Sequence, residues 1–408
     1  MFKRAKNCFI RVLPGRSAFS LTLIFLLIEF FDELHYAIDG AALPAIRADL
    51  NLNYAEIGLL LGLPQIAGTF IEPLLLMLGD TPLRKRLIAG GGLMVMLALL
   101  LISGVTAFPL LLAGFLINFP ASGAFVTLSQ ATLMDLYPGR EAHMLARWTV
   151  AGSLGNLIGP LLIALSLSLG LGWRWMFTGL ALLACALTIS VWWQKFTSQG
   201  AEGHMVAVAP RNLASVFWRL LHEWSLLRWF ALLQFSDLLL DVFFGYVALY
   251  FTDVAGASPA QASLILSALM GTGLVMDLAL IPILERWPGR RIVRISAVAS
   301  ILVYTAWLLA PWLWVKIILA IMIRSSTIGW YQVLQGEAYA SVPGNSGTVM
   351  AIGSLAGLAG GVMTWFIGWF AATTNLSTAM WLLLAGPISL VLFVPPPKKT
   401  EKMTAGSR

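Results

Sequence analysis

Charge is what this sequence has least of. Asp, Glu, Lys and Arg make up 11% of its 408 residues, where soluble domains carry about 25%. Hydrophobic residues make up 59%, more than a soluble chain of this length can hide, so a soluble enzyme or binding domain is excluded. Cysteine is nearly missing. Cys8 lies in a basic tail and Cys185 in an apolar run, which suits neither a disulfide nor a metal cluster. No His/Cys group has metal-ligand spacing, and no Walker or dinucleotide motif stands in a soluble context. The apolar run from Ser17 lacks a small-residue cleavage site and carries acids, so it reads as a first span rather than a removable leader.

What the chain does have is a succession of apolar runs near the 20 or so residues that cross a bilayer. They fall near 17–41, 57–78, 87–106, 108–134, 148–169 and 175–194, then 229–251, 262–284, 292–310, 313–338, 347–370 and 378–394. The expected fold is an all-α membrane protein with twelve transmembrane helices in two six-helix halves. Net charge is +7, which points to the positive-inside rule rather than to nucleic acid. Twenty-two of the 26 Lys and Arg fall in the tails and in alternate loops, leaving Arg47, Arg174, Lys316 and Arg324. That bias places both termini in the cytoplasm, in a cell (inner or plasma) membrane. The division that follows is a cytoplasmic tail at 1–16, a six-helix bundle at 17–194 and a cytoplasmic central loop at 195–228. A second bundle at 229–394 and a cytoplasmic tail at 395–408 complete it.

The halves repeat each other. Moved back by 205 positions, Asp237 falls on Asp32, Asp277 on Glu72 and Glu285 on Asp80, while Gln335 falls on Gln130 and Pro343-Gly344 on Pro138-Gly139. Acids inside spans are scarce, so three coincidences without a gap are a strong sign of duplication. Two halves of like orientation imply a two-fold axis along the membrane normal, with the solute path between them.

At this point the chain resembles the major facilitator superfamily over nearly its whole length. Gly79-Asp80-Thr81-Pro82-Leu83-Arg84-Lys85-Arg86 is similar to that family's loop between spans two and three, and Gly172-Trp173-Arg174-Trp175 to its turn before span six. Gly155-Asn156-Leu157-Ile158-Gly159-Pro160 resembles the start of the span-five antiporter motif, although Ile163-Ala164 replace the closing glycines. Asp32, His35 and Asp39-Gly40-Ala41-Ala42-Leu43-Pro44 resemble the fosmidomycin-resistance type of exporter. The resemblance implies the major facilitator fold and efflux by drug:proton antiport. One departure stands out. The arginine that the family's antiporters carry in span four is missing from Asn118-Phe119-Pro120, and the lone buried arginine is Arg324, against Phe119 in the repeat.

Span one gathers Glu29, Asp32, Glu33, His35, Tyr36 and Asp39. Spacings of three, four and seven share a helix face, so 29, 32, 36 and 39 are expected to form one polar stripe with 33 beside it. Each charge at a bilayer centre costs at least about 2.5 kcal/mol, so such a stripe implies a wet cavity. Clustered acids in low dielectric compete for protons, and a carboxylic acid that gains and loses one near neutral pH is what proton coupling requires. Span seven repeats the theme with Gln234, Asp237 and Asp241. The expected proton or cation set is therefore Asp32, Glu29, Glu33, His35, Asp39, Asp237 and Asp241, the alternative being ion-paired structural groups. Tyr36, Asn118, Gln234, Arg324, Tyr331, Gln332 and Gln335 are the expected substrate contacts, and Asp80, Arg84 and Glu285 the gate. Arg324 needs either a carboxylate or an anionic ligand; a pair is expected, with Asp237 first and Asp32 second. Glu72 and Asp277 read as structural acids.

The expectation is a monomeric secondary active transporter in the lipid bilayer, drawing on the proton gradient with no cofactor and moving a small-molecule substrate by alternating access, as an efflux antiporter. The alternatives are an uptake symporter for an anionic or sugar-like solute, a transporter-like receptor, or an intramembrane enzyme. The last lacks an obvious nucleophile.

Overall fold

The computed structural model describes residues 16–79, 83–137, 141–194, 223–341 and 346–396. They form twelve helical crossings: α1 (Arg16–Leu50), α2 (Tyr54–Gly79), α3 (Arg84–Gly104), α4 (108–136), α5 (Glu141–Ser168), α6 (Trp173–Trp193), α7 (224–253), α8 (Pro259–Arg286), α9 (Gly289–Leu309), α10 (313–341), α11 (Ser346–Thr373) and α12 (376–393). Ten of these are long and apolar enough to cross a membrane, and Gly357–Thr373 of α11 is a shorter apolar stretch. The exception is α1, where Glu29, Asp32, Glu33, Asp39 and Arg47 interrupt the apolar sequence. Helix ends overrun the apolar runs, because the backbone ladder continues into the polar interface. Thus α1 reaches Leu50 rather than 41, and α7 begins at Trp224 rather than 229. Residues 195–222 of the expected central loop lie outside the described residues.

The repeat holds in backbone detail. Asn51 closes α1 in the left-handed region at φ 53°, and Asn53 and Glu56 then exchange side-chain and backbone hydrogen bonds of 2.9 Å to open α2. At the same offset Gly256 takes φ 74°, and Ser258 and Gln261 form the matching capping box before α8. A left-handed residue that ends one helix, followed by a reciprocal cap, reverses the chain in very few residues. One mid-span irregularity is paired as well. Helix α4 passes through a π-helical turn at Gly123–Thr127, and α10 breaks at 327–329, at its repeat position. A second π-turn, Leu238–Val242 in α7, has no counterpart in α1.

Within the first half α1 lies along α5 and α3 along α6; within the second, α9 packs on α10 and α12, and α7 on α10 and α12. Lys316 is 5% exposed, and its Nζ donates to the Tyr250 hydroxyl (2.9 Å) and the Trp307 carbonyl (2.8 Å). A buried cation is tolerated there because it meets the negative end of α9.

The halves meet along α2–α11 and α5–α8, with α1 touching α7 and α8. The α2–α11 seam is backbone against backbone. A Cβ on Gly58 would stand 2.8 Å from the Trp365 carbonyl oxygen, and one on Gly62 would meet the Gly361 carbonyl and stand 2.9 Å from the Trp365 nitrogen. Beyond the seam, Asp253 of α7 accepts from Arg47 (2.5 Å) and from the Tyr54 hydroxyl (2.8 Å), with the guanidinium 4.4 Å above the Tyr54 ring. This end of the molecule is shut. Gly62→Val is expected to hold it open, since the added methyls press on α11 backbone and on the Trp365 Cβ, which cannot swing aside. Spin labels at Asn51 and Val254 check this, and an unchanged distance would show that the seam accommodates the side chain.

Candidate functional site

Three glycines let α1 sit on α5. Cβ atoms on Gly155 and Gly159 would press on α1 backbone (2.7 Å to the Leu34 nitrogen and to its carbonyl oxygen), and one on Gly152 would meet Glu29 Oε1 at 2.6 Å. Glu29, 7% exposed, and Glu33 are thereby laid over α5, where Asn156 Nδ2 donates to Glu33 Oε2 at 2.7 Å. Asp32 turns instead to α4 and accepts from the Ser122 hydroxyl, just before the π-turn. His35, 4% exposed, packs inside the first half between the rings of Phe31 (6.2 Å) and Phe177 (6.4 Å), with Nε2 3.3 Å from Asp39 Oδ1. The expected single stripe is therefore an arc. At 100° per residue, positions 33 to 35 by way of 29, 36, 32 and 39 span about 160°, enough to face α5, α4 and α6 in turn. Among the described residues no Lys or Arg pairs with Glu29, Asp32 or Glu33.

Tyr36 is 57% exposed. The charges of Asp241, Glu33, Asp39 and Asp237 nevertheless act on it, so it faces the cleft between the halves rather than lipid. Across that cleft, Gln234 Nε2 donates to Asp237 Oδ2 at 3.3 Å, while its Oε1 is buried without a partner. A Cβ on Gly360 would lie 3.1 Å from Gln234 Oε1 and 3.2 Å from Gln65 Nε2 of the other half. Asp241 is exposed on the α7 π-turn, a distortion common at functional sites, and its charge reaches Glu33 and Arg324.

The expected pairing of Arg324 with Asp237 or Asp32 is not made: among the described residues Arg324 forms no ion pair. Its guanidinium fills a notch over Gly273, 5.5 Å from the Phe244 ring centre, with Thr327 Oγ1 at 3.4 Å from Nη1 and no partner for Nε. The physical reason lies in the repeat, and it concerns the carboxylates rather than α7 as a whole, since Phe244 of α7 touches the guanidinium. Phe119 fills the same notch over Gly68 in the first half, so Arg324 occupies a packing slot that seats it against Phe244 rather than on Asp237 or Asp32. Asp277, whose charge bears on Arg324 with that of Asp241, accepts from Gln332 Nε2 at 3.2 Å. Glu72 packs against the α4 π-turn, its Oε1 2.9 Å from a Cβ on Gly123.

Asn118 is 7% exposed with an unpartnered Oδ1, Gln335 is half-buried on α10, and Tyr331 beside it is 53% exposed. Trp330 is fully buried and donates to Ser296 at 2.7 Å, which makes it core rather than pocket. Of the expected gate, Arg84 opens α3, while Asp80 and the Glu285 side chain lie outside the described residues. Sequence reasoning missed Gln65, Ser122 and the Arg47–Tyr54–Asp253 cluster. Arg47 carried a signal, being one of four basic residues that the loops left over.

The family model of the Major Facilitator Superfamily matches residues 25–364. Among solved structures, the nucleoside transporter NupG is similar at TM-score 0.71 and 15% identity, over 95% of this chain and 99% of that one. A D-xylose-proton symporter is similar at TM-score 0.74 and 15% identity, over 92% and 98% of the two chains. A bacterial homologue of the human lysosomal transporter Spinster, inward-facing and occupied, is similar at TM-score 0.66 and 15% identity, over 95% and 94%. No curated protein matches the chain. Identities this low show the fold alone, but the family model covers most of the sequence. A twelve-helix duplicated bundle, a cleft between its halves and that match together make this multi-pass membrane transporter a member of the major facilitator superfamily.

Proposed function

We propose that the chain is a proton-coupled transporter of a small organic solute, with Asp32 the principal proton carrier, Glu29 and Glu33 beside it, and the solute held between α1, α7 and α10. One observation carries this reading: Asp32 and Glu33 are partnered by neutral donors, Ser122 and Asn156, rather than by Lys or Arg. A hydroxyl serves a carboxylate as donor and a carboxylic acid as acceptor, so protonation strands no buried cation. His35 and Asp39, closed into the first half, serve as a supporting pair. Asp237, Asp241, Gln234, Tyr36, Tyr331, Gln332 and Arg324 belong to the solute side of the cleft.

The direction is efflux, supported by the span-one resemblance to fosmidomycin-resistance exporters. Uptake by symport is favoured by a different observation, the cation Arg324 left without a carboxylate. Reconstitution in liposomes with an imposed pH gradient separates the two. Proton and solute moving oppositely supports antiport, movement together supports symport, and solute movement with no proton flux removes coupling altogether.

A further inference from the structure

Opposite charges that share a cleft draw together unless the backbone keeps them apart, because low-dielectric walls strengthen their attraction. Asp241 and Arg324 are near enough for each charge to act on the other, yet no ion pair joins them. Each is held where it is. Arg324 is seated in the Gly273 notch beside the Phe244 face, and Asp241 is fixed on the π-turn Leu238–Val242. Each end also has unused hydrogen-bonding capacity: Arg324 Nε is a buried donor without an acceptor, and Gln234 Oε1 beside Asp237 is a buried acceptor without a donor. The two unmet groups are of opposite kind.

We infer that the cleft binds a zwitterion, a small solute carrying a cationic and an anionic group, with the cation at Asp241 and Asp237 and the anion at Arg324. This rests on the reading of that cleft as the solute site. A cationic solute leaves the guanidinium unmet; an anion leaves the two α7 carboxylates side by side without a cation. A neutral solute leaves both poles desolvated, a cost that only a ligand with both charges offsets. Tyr36, exposed to the same carboxylates from the α1 side, then closes over the cationic end.

The test is equilibrium binding to the purified full chain, read as a thermal shift and as Kd. The probes are amino acids, trimethylammonio carboxylates and aminophosphonates, each beside its ester and its N-acyl or uncharged-nitrogen analogue, with neutral sugars and nucleosides as comparison. A zwitterion is expected to bind, and blocking either of its ends to raise Kd at least tenfold. In Arg324→Gln the penalty for esterification should vanish; in Asp241→Asn the penalty for masking the nitrogen should vanish. If either variant fails to fold, the blocked ligands on the unmodified protein still decide. A neutral or singly charged solute that binds as tightly, or no zwitterion that binds, overturns the inference. The reading beneath it fails separately. A singly charged ligand that drives proton flux in liposomes sinks only the ligand class, whereas a bound zwitterion without coupled flux sinks only the coupling.

Discussion

Asp32→Asn is expected to abolish proton-driven accumulation while leaving solute exchange down its gradient intact. An amide has the shape of the carboxylic acid and still accepts from the Ser122 hydroxyl that holds Asp32 against α4, so packing of α1 on α4 and α5 should survive. It has no proton to take or give. Uphill flux in liposomes should fall to the level of protein-free vesicles, with solute–solute counterflow within about twofold of the unsubstituted chain, since surface and isosteric changes away from packing are typically mild. Undiminished accumulation in the Asn variant would remove Asp32 from the coupling step. Glu33→Gln serves as its comparison. Asn156 bonds that side chain, so loss of coupling there instead would move the proton site from α4 to α5.

The largest effect on stability is expected at Arg290. It is 8% exposed, and its Nε and Nη2 donate to the two oxygens of Glu337 at 2.5 Å each, joining the start of α9 to the last turns of α10. Its guanidinium also lies 5.3 Å from the Trp229 ring centre on α7. Arg290→Ala leaves a partly buried carboxylate without its fork. Breaking a buried pair costs about 3–5 kcal/mol, and because the Glu337 side chain retains 18% exposure the lower end, about 3 kcal/mol, applies. Arg290→Lys should recover only part of that, since an ammonium makes no bidentate contact. The double variant Arg290→Met, Glu337→Leu should recover most of it by removing both charges. Melting curves in detergent read all three, and a double variant no better than Arg290→Ala would mean that the Trp229 contact, not the ion pair, supplies the stability.

Much of the fold was legible because membrane solvent imposes long apolar helices and because the chain is written twice. The offset of 205 found from three acids also relates Asn51 to Gly256, Asn53 to Ser258 and the Gly68 notch to the Gly273 notch, features with little sequence likeness but the same geometry. Less legible was which neighbour each polar side chain meets. A helical wheel places Glu29, Asp32 and Tyr36 near one another, but which of α5, α4 or α7 lies opposite is set by where glycines admit close approach. Gly152, Gly155 and Gly159 decide that for α1. The expected Asp237–Arg324 pair failed for a related reason. Charge complementarity was readable; the slot that anchors Arg324 over Gly273 was not. The π-turn at Leu238–Val242 leaves no mark in the apolar pattern, so the placement of Asp241 emerges only in three dimensions. The Arg47–Asp253 contact joins residues 206 apart, and no local pattern announces it.

The exchange of a ring for a guanidinium at one of two equivalent positions has an electrical consequence. Phe119 and Arg324 fill the same slot in the two halves, but only one of them is felt by the membrane potential. Carrying a full charge across 100 mV is worth about 2.3 kcal/mol, so a rocking motion that takes the guanidinium through half of the field changes the balance between orientations by about 1 kcal/mol. At this slot voltage therefore acts on one half alone, in addition to its action on whatever charge the α1 and α7 acids carry. A chain built as two copies of one bundle thus has a front and a back, its orientation biased by the polarity of the membrane around it.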